Sequence, residues 1–506
     1  MNRRNFCGTL LGGAASLGLA PLLHAAETPP NIILITADDL GIQLNSYGDM
    51  TVPTPHLNQL ADEGVLFQSA YVTQASCSPS RSSMFTGLYP HQNNQLGLEH
   101  RGYVMHKGIP TLPALLKANG YRNGSIGKVH VRPAEDLPFD FQIYRQEGLN
   151  PKDVTQYAKH AETFINETGD QPFFLLYSLG DPHKKFFHQV NGIPTNPVKA
   201  EDMKPFAEHG GIDTPEIREE IAGYYNAIQR IDVGIRLLRD LLKKTGKDKN
   251  TLIIFIGDHG APLSRGKTTT YEFGLRIPFL VHWPERIQAK QVRSEFISTV
   301  DILPTCLEAA GLTSPKHVAG QSLLPMVTGA STPWRDTLCA EFTTHGPGFT
   351  PQRSIRDKRY KLILNLRTDK KKSGLGVDGC KVRDAMQDSK WEATEGYRVF
   401  KMLENPPDVE FYDLQNDPIE YHNLAGKPEL KAVESRLKKA LLAWRQETHD
   451  PLLDPAIFAA YKKHHDEFGK SHQEKVAAAK AAGKKAPYRK IDMTKFQETW
   501  PTAAYR

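Results

Sequence analysis

Asn31-Ile32-Ile33-Leu34-Ile35-Thr36 is a near-continuous apolar run that gives way at once to Ala37-Asp38-Asp39. A strand that is apolar on both faces has to be covered on both, as in a parallel sheet lying between helices. The same order recurs along the chain. Phe173–Ser178 precedes Asp181-Pro182-His183, and Leu252–Ile256 precedes Gly257-Asp258-His259-Gly260. The shorter Gly124–Gly127 precedes Lys128-Val129-His130. Helical patterns lie between these strands: Thr54–Gly64 with a proline at its first position and a closing glycine, Leu112–Gly120, and the long amphipathic Ile217–Lys244. The alternation predicts an α/β fold, a large mostly parallel sheet sandwiched by helices. Such sheets bind ligands beyond the carboxyl ends of their strands, so the four polar clusters are expected to converge on one edge.

Ser76-Cys77-Ser78-Pro79-Ser80-Arg81 supplies a further element of that edge. Pro79 suits the first turn of a helix, where its missing N–H costs nothing. That helix is expected to run through Arg81–Phe85 and stop near Gly87. Cys77 then stands at a helix N-terminus, where unpaired N–H groups and the dipole favour an anion. Arg81 lies within one turn of it. Asp38, Asp39 and Asp258 are hard oxygen donors suited to Ca²⁺ or Mg²⁺ rather than zinc. Arg81, Lys128 and Lys267 can spread positive charge over a sulfate or phosphate. His130 and His183 are placed after strand ends and can move protons near neutral pH.

A chain of 506 residues exceeds what one core ordinarily organises. We read residues 1–26 as an export signal, 27–345 as a catalytic domain, 346–460 as a smaller α+β domain with an antiparallel sheet, and 461–506 as a basic tail. Arg3-Arg4 precede the apolar Leu10–Leu23, and Leu23-His24-Ala25 offers a cleavage site. This fits either a twin-arginine signal, which exports a folded protein, or an ordinary secretory one. Either address is periplasmic or extracellular. No later stretch is suited to stable membrane insertion. The net charge of +6, falling to +4 once Arg3 and Arg4 leave, does not argue for nucleic acid and is compatible with polyanionic substrates. Among five cysteines, Cys7 lies in the signal, and Cys306, Cys339 and Cys380 allow at most one disulfide, so this is no disulfide scaffold. In the second domain, Arg359–Leu364 and Glu410–Leu414 read as strands and Leu430–Glu447 as an amphipathic helix. Residues 465–490 read as a solvated helix or flexible tail.

Cys77-Ser78-Pro79-Ser80-Arg81 has the Cys-x-Pro-x-Arg pattern, and with it the chain resembles type I sulfatases of the alkaline-phosphatase superfamily. The likeness extends through Thr86-Gly87-Leu88, Pro90-His91-Gln92-Asn93, Ile126-Gly127-Lys128-Val129-His130, Asp181-Pro182-His183 and Asp258-His259-Gly260-Ala261-Pro262. Arg353-Ser354-Ile355, Lys361–Leu366 and Trp444–Pro451 make it most similar to the sulfamidase (heparan N-sulfatase) branch. The resemblance implies that a formylglycine-generating or radical maturation enzyme oxidises Cys77 to formylglycine (3-oxoalanine). It implies Ca²⁺, with Mg²⁺ less favoured, held by Asp38, Asp39, Asp258, His259 and the oxidised residue 77. One hydroxyl of the hydrated aldehyde would attack sulfur, giving a covalent sulfate ester. His183 would protonate the leaving group, and His130 would deprotonate the second hydroxyl to eliminate sulfate. Arg81, Lys128 and Lys267 would hold diol and sulfate, and Asp181, His91, His345 and Arg353 are expected to contact a sulfated carbohydrate substrate. Two positions depart from the branch: His259 replaces an asparagine and Lys267 an arginine. An O-sulfatase acting on a polysaccharide such as an algal sulfated glycan, a phosphodiesterase or phosphonate hydrolase, and a non-catalytic glycan-binding protein stand as alternatives.

Overall fold

The computed structural model describes residues 28–346, 348–369 and 379–497; the expected export signal lies outside them. Ten strands precede residue 300: β1 (Asn31–Ala37), β2 (Val65–Phe67), β3 (Ala70–Tyr71), β4 (Arg122–Gly127), β5 (Phe141–Ile143), β6 (Phe173–Leu179), β7 (Thr251–Gly257), β8 (Phe279–His282), β9 (Gln291–Arg293) and β10 (Ile297–Ser298). Eight of them form one sheet in the order β5-β4-β6-β1-β7-β8-β2-β9, and β10 pairs with β3. The centre is parallel: Ile33 lies between Leu175 of β6 and Ile253 of β7. The expected mostly parallel sheet is therefore present, with β8 antiparallel to both β7 and β2.

The two faces of β1 divide by alternate residues, as strand geometry requires. Ile33 and Ile35 pack into a core that includes Ile221, Ile228 and Ile235 of the helix Pro215–Lys244. Thr214 caps that helix, its hydroxyl accepting from the Ile217 N–H. Ile32 and Leu34 pack into the opposite core with Met84 and Phe85 of the helix Cys77–Thr86. Every residue of that short helix is buried.

A second, antiparallel sheet follows, in the order β11 (Leu338–Phe342), β12 (Gln352–Arg356), β13 (Tyr360–Asn365) and β14 (Val409–Asp413). Its first strand precedes residue 345, where the sequence reading sets the change in character. The helix Lys431–Glu447 covers this sheet through Leu437 and Leu441. The segment read as a solvated helix or flexible tail is in part a docked helix, Pro455–Ala481. Tyr461 and His465 bury one end of it against Phe349, and Tyr103 stacks on His465. Cys77, Cys306, Cys339 and Cys380 are buried thiols without disulfides. No helix of the described residues is long and apolar enough to cross a membrane.

Candidate active site

Four neighbouring strands of the large sheet end together. β1 delivers Asp38 and Asp39, β4 leads to Lys128 and His130, β6 to Asp181 and His183, and β7 to Asp258 and His259. The turns are tight. A Cβ on Gly257 would lie 2.0 Å from the Leu40 carbonyl oxygen, so only glycine allows that approach. Asp39 has a φ of 74°, and its N–H donates to Asp258 Oδ1 at 2.8 Å.

The helix Cys77–Thr86 points its N-terminus into this edge and ends, as its sequence predicts, at Gly87 in the left-handed region (φ 67°). Cys77 Sγ lies 3.4 Å from His259 Nε2 and 3.7 Å from Asp38 Oδ1. Arg81 is fully buried beneath it. Its Nε donates to Asp258 Oδ2 at 2.9 Å, and Nη1 donates to the Lys128 carbonyl (2.8 Å), Ser178 Oγ (2.7 Å) and Thr36 Oγ1 (3.3 Å). One guanidinium thus joins the ends of β1, β4, β6 and β7. Its Nη2 has no hydrogen-bond partner among the described residues and stands 3.7 Å from Asp38 Oδ1.

Acids and cations alternate around the thiol. Lys128 Nζ contacts both oxygens of Asp38 at 2.8 and 2.9 Å, and Lys267 Nζ both oxygens of Asp39 at 3.0 and 3.1 Å. His259 Nε2 is 3.0 Å from Asp39 Oδ1. Burial works against both carboxylates, but Lys128 and its neighbours outweigh it at Asp38, and Lys267, His183 and His259 do so at Asp39. Both stay ionised well below the usual carboxylate range. His130 moves the other way: burial, Lys128 and His100 push it well below the ordinary histidine value, leaving a neutral ring.

Asp38, Cys77, Lys128, His130, His183, Lys267 and His345 line one cavity of about 780 Å³. His345 Nδ1 pairs with Ser76 Oγ at 2.9 Å, beside the helix start. Of the four expected substrate contacts, His345 lines this cavity, and Asp181, His91 and Arg353 do not. His91 is buried and clamped to Glu341, with Nδ1 2.6 Å from Oε2. Arg353 is fully buried and grips Asp450 through Nε (2.8 Å) and Nη2 (2.9 Å). Both side chains are engaged with buried partners away from the cavity lining. Asp181 is likewise buried, paired with Arg230 (2.7 Å) and Lys152 (2.9 Å), and it braces the loop that carries His183.

Residues 30–312 match the family described as Sulfatase, which is more than half of the chain. The chain belongs to the sulfatase family. Residues 258–374 of this sulfatase also match the family described as N-sulphoglucosamine sulphohydrolase, C-terminal. It is 31% identical over 461 residues to human N-sulphoglucosamine sulphohydrolase, covering 84% of this chain and 91% of the relative. It is 32% identical over 450 residues to an ulvan-active sulfatase of Formosa agariphila, covering 86% and 83%. A structure solved with its substrate D-glucosamine-2-N,6-O-disulfate superimposes with a TM-score of 0.63 at 19% identity, over 83% of this chain and 98% of that one. The phosphonate monoester hydrolase of Agrobacterium radiobacter gives 0.61 at 19%, over 83% and 96%. The fold is the alkaline-phosphatase-like one, and the chain is a sulfuric ester hydrolase or sulfamidase.

The donor set of this sulfatase fits a divalent cation. Ligand atoms of Asp39, Cys77 and His259, and of Asp38, Cys77 and Asp258, each cluster within 4.8 Å. Three carboxylates against one imidazole favour a hard ion. Sequence reasoning missed several cavity residues, among them His100, Tyr144, Arg145 and Lys152. His100 stacks on His130, with Nδ1 2.8 Å from His130 Nε2. It belongs to no periodic pattern and follows no strand, so the signal that found the other groups does not reach it.

Proposed function

We propose that this sulfatase is exported and removes sulfate from a sulfated carbohydrate, with N-sulfated glucosamine as its substrate. The observation that carries the sugar is the match to the N-sulphoglucosamine sulphohydrolase C-terminal family across 258–374, a span that includes Asp258, His259, Lys267 and His345.

Asp38, Asp39, Asp258 and His259 would hold the cation, which we read as Ca²⁺. Once matured to formylglycine and hydrated, position 77 would supply the attacking oxygen, and a cation held there would supply Lewis-acid polarisation. The remaining work falls to side chains. Lys128, Lys267 and the unpartnered Nη2 of Arg81 offset the charge that gathers on the sulfate oxygens. His183 lines the cavity with 29% of its side chain exposed, and we assign it proton donation to the leaving nitrogen. An amine leaves far better protonated, so this donor matters more for an N-sulfate than for an ester. His130, held neutral, is suited to accept a proton.

A second reading is favoured by the 32% identity to an ulvan-active sulfatase: the same machinery acting on an O-sulfated polysaccharide. The test is sulfate release from N-sulfated glucosamine beside 2-O-, 3-O- and 6-O-sulfated sugars, with Cys77→Ala as control. Release mainly from the N-sulfated sugar is expected. Release confined to an O-sulfated sugar would overturn the branch and keep the chemistry.

A further inference from the structure

The C-terminal tail returns to the mouth of the cavity. After the helix Pro455–Ala481, the chain runs through Lys484, Lys485, Tyr488, Arg489 and Lys490, with no acidic residue between Lys475 and Ile491. It then docks on Arg101, which lines the cavity. The Ile491 N–H donates to the Arg101 carbonyl at 3.0 Å, and Arg101 Nη1 donates to the Arg489 carbonyl at 3.1 Å. The Arg101 guanidinium lies 4.7 Å from the centre of the Tyr488 ring, and that ring is 6.5 Å from His100. The docking is specified by sequence. Gly102 has a φ of +106°, and a Cβ there would lie 1.9 Å from the Ile491 carbonyl oxygen.

This contact leaves an unusual surface at the cavity mouth. Tyr488 is 63% exposed, a large ring held in place by a guanidinium yet open to solvent. Among the described residues no carboxylate pairs with Arg101 or Arg489. Burial first, and then the neighbouring Arg101, hold Arg489 below the usual arginine range. Cations gathered without counter-charge beside an open aromatic ring suit an anionic sugar: the ring stacks on the pyranose and the guanidinium forks onto sulfate or carboxylate.

We propose that Tyr488, Arg489 and Arg101 form a binding subsite for a second anionic group, sulfate or carboxylate, on the sugar next to the one being desulfated. The substrate is then an anionic oligosaccharide rather than a free monosaccharide. The inference rests on the carbohydrate reading above but is testable apart from it.

The test uses the full-length chain with Cys77→Ala, which has no nucleophile at position 77, titrated calorimetrically with three tetrasaccharides: one carrying only uronate carboxylates, one only sulfates, one neutral. Tyr488→Ala and Arg489→Ala are each expected to weaken an anionic tetrasaccharide by about tenfold, the size of one charge-assisted contact, with Arg489→Lys losing less. The arm that loses affinity identifies the anion. The slope of log affinity against log salt is expected to flatten in Arg489→Ala. In the matured enzyme the fall in kcat/KM is expected to be about tenfold larger for the tetrasaccharide than for the monosaccharide, and to reside in KM. Equal affinity of wild type for neutral and anionic tetrasaccharides, or undiminished binding in both alanine variants, would overturn the subsite. Tail-dependent binding without sulfate release from any amino sugar would keep the subsite and discard the N-sulfate reading.

Discussion

The molecule buries two clusters of ionised side chains, and they are built differently. At the large-sheet edge, Asp38, Asp39, Asp258, Lys128, Lys267 and Arg81 surround a thiol and border a cavity. Beneath the small sheet, Arg353 holds Asp450 with two bonds, Arg445 adds a third at 2.7 Å, and Glu341 receives both the N–H and the ring of His91. The second cluster ties four elements together: the short helix Pro90–Asn93, the strands β11 and β12, and the end of the helix Lys431–Glu447. Both keep a guanidinium nitrogen unpartnered among the described residues, Arg445 Nη2 in the second and Arg81 Nη2 in the first. Only the first has its charges on a cavity, with ligand atoms that converge. Buried charge therefore does not mark a site, even with bonding capacity to spare; buried charge that faces a cavity does.

Substitutions can break this contrast. Cys77→Ala is expected to lower sulfate release at least about a thousandfold while the melting temperature holds within a few degrees. Chelation is expected to cost about a hundredfold or more in activity and to lower the melting temperature, both restored by Ca²⁺. Asp450→Ala should do the reverse of Cys77→Ala. It strands Arg353 and Arg445 and is expected to cost about 3–5 kcal/mol in a urea titration, with activity per folded molecule within about twofold. Were Asp450→Ala to abolish turnover without loss of stability, the two clusters would not be distinct in kind.

The same cluster sets an acid limit. Burial opposes ionisation of Asp450 and Glu341, but Arg353 and His91 hold both below the ordinary carboxylate values. In the unfolded chain they take up protons near pH 4. Their stabilising effect is thus complete above about pH 4 and is lost as pH falls through the lower folded values. The urea midpoint should drop below pH 4, and less steeply in Asp450→Asn. The smallest effect is expected for Lys267→Arg, a change in KM of less than about tenfold, because a fork replaces a point charge that already meets both oxygens of Asp39.

Much of this was legible in the residues. The runs before Asp38, Asp181 and Asp258 are apolar because their strands are covered on both faces, so the edge could be read without coordinates. Pro79 and Gly87 bracket a helix for local backbone reasons, and that helix is present. What the residues alone did not show shares a cause. His91 and Arg353 stand in motifs beside chemistry, but their partners, Glu341 and Asp450, lie 250 and 97 residues away. No local pattern encodes such a pairing. The docked tail escaped for the same reason: Gly102 and Ile491 are unremarkable until a fold brings them together.

One consequence concerns the order of events in the cell. Cys77 is 2% exposed, and the helix that carries it is wholly buried under four strand ends pinned by Arg81. An enzyme that must close around the Cys77–Arg81 stretch cannot reach it once the sheet has formed. If Cys77 is oxidised as proposed, oxidation would have to come before folding, and a chain that folded first would stay stable yet locked out of that chemistry. If the twin arginines route a finished fold across the membrane, the maturation enzyme has to work in the cytoplasm, on the nascent chain.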